Sequence, residues 1–258
     1  RTEIDAMGFR KSFSIYDDTD AKRLMTLVAR DQNLDPKKFP PRGLLNWVSN
    51  CKNELITPAQ AAASASGLDE VRAEAYKVYN QRLRAANALD FDDLIMTTVL
   101  LFEQHPEIRE AYRRRFRQVL VDEYQDTNHA QYLLIKQLCG DLGPDDGLPN
   151  DAPRIEPAEL MVVGDSDQSI YAFRGATIRN ILDFENDFPG ANTILLEQNY
   201  RSTQTVLSAA NAVIKNNSGR PSKRLWSQAG DGEKIVGYVA DTEHDEARFV
   251  GNEIDALV

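Results

Sequence analysis

Apolar residues recur at helical spacing through roughly the first hundred positions, and then the texture changes to short continuous apolar runs. Leu24, Met25, Leu27 and Val28 share one face of a helix, and Asp18, Thr19 and Asp20 just ahead of them offer N-caps. A second helical pattern runs through LLNWVSNCKNEL (44–55), and a longer, charged one from about Leu68 to Ala88. Between them TPAQAAASASG (57–67) is small and polar, the texture of a loop or a weak helix. Asp90 predicts an N-cap for FDDLIMTTVLLFEQ, which His105-Pro106 ends.

Beyond that point the apolar runs have strand length: QVLVD (118–122), LMVVGD (160–165), TILLEQN (193–199) and KIVGYVA (234–240). Helical patterns separate them at 129–138, 177–187 and 203–215. Alternation of this kind predicts an α/β fold with a parallel sheet, preceded by a helical region. The stretch 140–159 is rich in Gly, Pro and Asp and reads as an exposed excursion. The acidic run DTEHDE (241–246) suits a helix N-terminus, where carboxylates complement the dipole.

Composition narrows the setting. The 258 residues are 42% hydrophobic and 27% charged, an ordinary globular balance. No window approaches the roughly 20 apolar residues of a membrane span, and RTEIDAMGFRK at the start has no apolar signal region. Cys51 and Cys139 are isolated, which argues against a disulfide framework or zinc ribbon and for a cytoplasmic location. The net charge of −10 is unusual for a nucleic-acid binder, although a net figure does not describe a local groove. Arg109, Arg113, Arg114, Arg115 and Arg117 form a basic cluster that reads as a solvated helix face balanced by Glu107 and Glu110, with phosphate contact as the alternative.

In an open parallel sheet, ligands bind at the carboxyl ends of strands. Three such ends carry Asp122-Glu123, then Asp165 through Gln168, then Tyr200-Arg201. A carboxylate that shares Mg²⁺ with phosphate oxygens, a second carboxylate for water, an amide and a guanidinium together make a phosphoryl-transfer set. Taken singly, each string reads about equally well as a solvated turn.

Together and in order, VDEYQDTN (121–128), GDSDQSIYAFRGA (164–176) and LEQNYRS (196–202) resemble motifs II, III and IV of the UvrD/Rep family of superfamily I DNA helicases, and ALDFDDLI (88–95) matches a further family segment. The resemblance implies a RecA-like parallel sheet, a partial P-loop NTPase fold, with a helical 1B-type subdomain. It divides the chain into a partial 1B-like part (1–87), the C-terminal part of domain 1A (88–195) and the start of domain 2A (196–258). By the same resemblance Asp122 holds Mg²⁺, Glu123 is the catalytic base, Gln168 links the γ-phosphate to the DNA site, Arg201 is an arginine finger and Tyr200 stacks on adenine. Phe91, Tyr171, Phe173 and Arg174 fall where the family lines its single-strand track, with Phe173 in place of the usual tryptophan.

The implied parent is an ATP-dependent 3′–5′ DNA helicase of repair or replication. It acts on single strands and junctions, with ATP as substrate, Mg²⁺ as cofactor and DNA-repair proteins as possible partners. No G-x-x-x-x-G-K-[ST] string occurs, and family members carry theirs upstream, so the chain is expected to be an internal piece, inactive alone. Two alternatives stay open: the helicase subunit of an AddAB-like helicase–nuclease and, for the piece by itself, a non-catalytic DNA- or protein-binding module.

Overall fold

Four helices pack their apolar faces together to form the larger core. The computed structural model describes residues 1–143, 146–149, 151–172, 175–217 and 223–257, and the chain divides into two compact units, Arg1–Ala191 and Asn192–Val258. In the first unit, strand β1 (Ser14–Tyr16) precedes helices α1 (Asp18–Asp31), α2 (Pro41–Asn53), α3 (Pro58–Ser64) and α4 (Leu68–Ala85). Met25, Val28, Leu44, Val48, Tyr76, Tyr79 and Leu83 are buried among them. The N-cap of α1 is Asp17 rather than Asp18, Thr19 or Asp20. Its carboxylate accepts from Thr19 N–H and Asp20 N–H, both at 2.9 Å, because only the residue outside the first turn can turn its side chain back on those donors. The weak helix of 57–67 is α3, stabilised by a reciprocal cap between Thr57 and Gln60.

Strand β2 (Ala88–Asp90) pairs in parallel with β1, from Ser14 opposite Ala88 to Tyr16 opposite Asp90. It leads into α5 (Phe91–Gln104), capped by Asp90 as the sequence predicts. Asp90 Oδ1 accepts from Asp93 N–H at 2.9 Å and Asp93 Oδ2 accepts from Asp90 N–H at 3.2 Å. Lys52, at the end of α2 and only 1% exposed, lies between the two carboxylates, at 2.6 Å from Asp90 and 2.8 Å from Asp93. Tyr79 donates its hydroxyl to Asp90 at 3.0 Å.

One ammonium cannot fully compensate two buried carboxylates, so the pair splits. Burial pushes the Asp93 carboxyl up to about 6 against the pull of Lys52. Burial also opposes ionisation of Asp90, but the Lys52 charge and the bonds from Lys52, Asp93 N–H and Tyr79 outweigh it and hold Asp90 below the ordinary range. An acid whose folded value lies above its ordinary 3.8 contributes most when protonated, and that stability is lost as pH rises through the window from about 4 to about 6. The melting temperature of the wild type relative to Asp93→Asn is therefore expected to fall across that window and to level off above it. A difference that rises with pH in calorimetry would show the opposite partition of charge.

Helix α6 (Pro106–Arg115) carries four of the five clustered arginines. Arg114, Arg115 and Arg117 are exposed and Glu110 pairs with Arg113 and Arg114, as a solvated face requires, but the reading is corrected for Arg109 and Arg113. Arg109 and Arg113 are buried. Arg113 donates to the carbonyls of Gln137 (2.8 Å) and Gly140 (3.1 Å), and Arg109 donates to the carbonyl of Asp146. Arg114 and Arg117 reach the carbonyls of Pro153, Glu156 and Pro157. The excursion after Cys139 runs as irregular backbone through its described residues, and its carbonyls have no ladder to accept from. The guanidinium forks supply those missing donors. The charges of the buried Arg109 and Arg113 are spent on the chain itself rather than presented to phosphates.

Strand β3 (Gln118–Val121), helix α7 (His129–Cys139) and strand β4 (Glu159–Val162) form a βαβ unit, with β3 and β4 parallel and Val121 opposite Val162. The helical pattern of 177–187 resolves into two single turns, α8 (Arg179–Leu182) and α9 (Phe184–Asp187), separated at Asp183. The result is a mixed α/β architecture with short parallel sheets.

The second unit contains α10 (Gln204–Ile214) and α11 (Glu243–Leu257), the latter starting within the acidic run. The strands expected at 193–199 and 234–240 do not form among the described residues; a single bridge, Gln198 with Trp226, is all that pairs there. Ile194, Leu196, Val236 and Val239 are exposed. These runs have strand propensity, but a strand exists only through a partner's ladder, and among the described residues of this unit neither run has more than that bridge. No helix of the described residues is long and apolar enough to cross a membrane.

Candidate functional site

The ladder between β3 and β4 continues past both strands. Val163 N–H donates to Val121 C=O at 2.8 Å, and Tyr124 N–H donates to Val163 C=O at 3.0 Å. The two carboxyl ends therefore lie side by side, with Asp122 and Glu123 leaving one and Gly164 through Gln168 leaving the other. The chain turns at Glu123, whose φ of 49° and ψ of 43° are left-handed. That conformation costs a non-glycine residue about 1–2 kcal/mol. It is offset by the anchoring of the next residue, Tyr124, which is fully buried with its ring edge-on to Phe184 at 5.5 Å.

A continuous run of hydrogen bonds joins the two strand ends. Asp122 Oδ1 accepts from Glu123 N–H at 2.9 Å. Glu123 Oε2 accepts from the Gln125 amide at 2.8 Å, and the carbonyl of that same amide accepts from Asp165 N–H at 2.9 Å. Asp165 Oδ2 accepts from the Gln168 amide at 2.8 Å, while its Oδ1 accepts from Asp167 N–H at 2.9 Å. Asp122, Glu123 and Gln168 are thus linked through Gln125 and Asp165, and all three are exposed. Gln125 at their centre is 1% exposed. Gly164 makes the approach possible, because a Cβ there would lie 2.7 Å from Gln125 Oε1 and 2.9 Å from Ile181 Cδ1.

The turn after Gln125 is held from two sides. Asn180 donates to the carbonyl (3.1 Å) and hydroxyl (3.0 Å) of Thr127, and Asn128 donates to Asn53 Oδ1 at 2.9 Å while capping α7. Asn53 follows Lys52, so the buried ion network of the helical region and the acidic turn share one support. Gln125, within the strand-end segment 122–126, carries no role in the sequence reading, nor do Asn128 and Asn53. For Gln125 a signal was present: an amide inside the acidic run DEYQD has carboxylates to bond.

Phe91 starts α5 at 54% exposure, so its ring is not core. Tyr171 is 38% exposed, three residues past Gln168. Phe173 and Arg174 lie outside the described residues. Tyr200 and Arg201 belong to the second unit, where Asn199 Oδ1 accepts from Arg201 N–H (2.9 Å) and Ser202 N–H (2.7 Å) and fixes the turn into α10. Both are exposed, Tyr200 at 85%. Asp122 presents a hard carboxylate at the carboxyl end of a parallel strand, the type of donor Mg²⁺ takes together with phosphate oxygens.

Acidic and amide groups thus stand at adjacent parallel strand ends, where open α/β sheets place their ligand sites. The model of the UvrD/REP helicase N-terminal domain matches residues 1–189, and that of the UvrD-like helicase C-terminal domain matches residues 194–258. The chain belongs to the UvrD/REP helicase family. It is 61% identical over 254 residues to the ATP-dependent DNA helicase UvrD1 of Mycobacterium tuberculosis, covering 97% of this chain and 32% of that protein. It is 57% identical over 255 residues to UvrD1 of Mycobacterium leprae, with the same coverage, and 51% identical to the ATP-dependent DNA helicase PcrA of Staphylococcus aureus, covering 98% of this chain and 33% of PcrA. The chain thus spans about a third of the length of the curated relatives it matches.

Proposed function

We propose that the full-length protein is an ATP-dependent DNA helicase that translocates 3′ to 5′ on single strands in the cytosol, in repair or replication. The observation that supports this best is the hydrogen-bonded run from Asp122 and Glu123 to Gln168 at adjacent parallel strand ends. In this reading residues 88–195 are the later part of a RecA-like domain 1A, residues 1–87 a 1B-type subdomain and residues 196–258 the start of domain 2A. Asp122 and the triphosphate would hold Mg²⁺, which when bound neutralises phosphate charge.

Glu123 accepts a proton from the attacking water. Gln168 donates its amide to the γ-phosphate, and Arg201 neutralises charge that develops in the transition state. Tyr200 stacks on adenine. Phe91, Tyr171 and Phe173 offer ring faces to bases and Arg174 a charge to the backbone, which suits a motor that must grip any sequence.

The test is ATP hydrolysis by the purified full-length protein with and without single-stranded DNA, and unwinding of 3′-tailed against 5′-tailed duplexes. Stimulated hydrolysis and a preference for the 3′ tail are expected. Hydrolysis that ignores DNA, or a 5′ preference, would refute the reading. Tyr171→Ala is expected to weaken single-strand binding by about 1–3 kcal/mol in a titration by fluorescence anisotropy. Unchanged affinity would remove Tyr171 from the strand track.

A further inference from the structure

We propose that Gln125 is a positioning residue for hydrolysis, aiming the Glu123 carboxylate and tying that aim to the segment 164–169. The inference rests on the reading of Glu123 as the base and adds to it the part that links base and DNA segment. The amide of Gln125 has one orientation that its neighbours allow. Its NH₂ faces two carboxylates, Glu123 Oε2 at 2.8 Å and Asp126 Oδ2 at 3.4 Å, and its carbonyl faces the N–H of Asp165 at 2.9 Å. Turned over, it would set oxygen against carboxylate and NH₂ against N–H. A side chain with a donor at one atom and an acceptor at the other, at this length, is what the position needs.

The same residue also holds the far end of the segment. Ser169 Oγ donates to the Gln125 backbone carbonyl at 3.4 Å, so Asp165 and Ser169, on either side of Gln168, both bond to Gln125. Tyr171 follows two residues later. A displacement of 164–171 by a captured strand must pull on Gln125, and Gln125 has Glu123 at its other end. The close approach at Gly164 leaves no slack, since even a methyl group there would collide with the Gln125 carbonyl. Gln125 touches neither nucleotide nor DNA in this reading; it acts through Glu123.

Two substitutions in the full-length protein separate positioning from mere support. Gln125→Met keeps the volume and loses both bonds. Gln125→Glu keeps the acceptor for Asp165 N–H but loses the donor to Glu123. It then either repels that carboxylate or shares a proton with it. Both variants are expected to lower DNA-stimulated kcat by about 10- to 100-fold, with KM for ATP and affinity for a non-hydrolysable ATP analogue within about threefold of wild type. The stimulation by single-stranded DNA is expected to fall toward none in Gln125→Met.

Wild-type kcat in both variants overturns the proposal, as does a raised KM at unchanged kcat. Activity restored in Gln125→Glu but not in Gln125→Met also overturns it, because tethering of Asp165 alone would then suffice. Should Gln125→Met unfold, Gln125→Glu decides by itself. Glu123→Gln serves as the control: if it keeps turnover, the base assignment fails, whereas an inactive Glu123→Gln beside fully active Gln125 variants defeats only the positioning role.

Discussion

Glu123→Gln is expected to leave ATP binding within about threefold of wild type and to lower turnover by about 10²–10⁴-fold, the usual contribution of a positioned base. The substitution is well matched to its surroundings. A glutamine at this position still offers a carbonyl oxygen to the Gln125 amide, the bond that the carboxylate accepts now at 2.8 Å. The left-handed turn is set by Tyr124 in the core and by the ladder bond from Tyr124 N–H to Val163, neither of which involves the Glu123 side chain. Asp122 keeps its place as well. What changes is the ability to take a proton from water. Single-turnover hydrolysis and analogue binding in the full-length protein measure the two quantities separately. Turnover within about tenfold of wild type would place the base elsewhere.

Lys52→Met is expected to cost about 3–5 kcal/mol of stability, the largest structural effect foreseen, because it leaves two carboxylates buried without a counter-charge. Lys52 is held charged by Asp93 and Asp90 against the pull of burial, and both lie within 2.8 Å. The neutral replacement can fill the space but cannot donate to either acid or to the cap they form over α5. Adding Asp90→Asn and Asp93→Asn to Lys52→Met is expected to return much of the loss, since the uncompensated charge is the main cost. Urea unfolding followed by tryptophan fluorescence reports both steps. A change below about 1 kcal/mol for Lys52→Met alone would mean that water or proton uptake already relieves the pair. The functional consequence follows through Asn53, which receives the Asn128 bond at the end of the DEYQDTN turn.

The expectations that held rest on neighbours in sequence. The helices around Met25, Val48 and Tyr79, the Asp90 cap and the existence of β3 and β4, which end at Val121 and Val162, are legible because period, cap and breaker all lie within a few residues of one another. The four strings from ALDFDDLI to LEQNYRS carry the family resemblance without any fold, since side-chain types in order are themselves a sequence property. Arg109 and Arg113 of α6 are buried rather than part of a solvated face, because their acceptors lie up to 37 residues away, in carbonyls that no local pattern points to. The runs at 193–199 and 234–240 have the composition of strands, yet pairing is a property of two segments rather than one. Gln125 between Glu123 and Asp165, and Lys52 between Asp90 and Asp93, were decided only by packing. A buried polar group takes whatever partner the fold brings within 3 Å, and burial is what makes that partner matter.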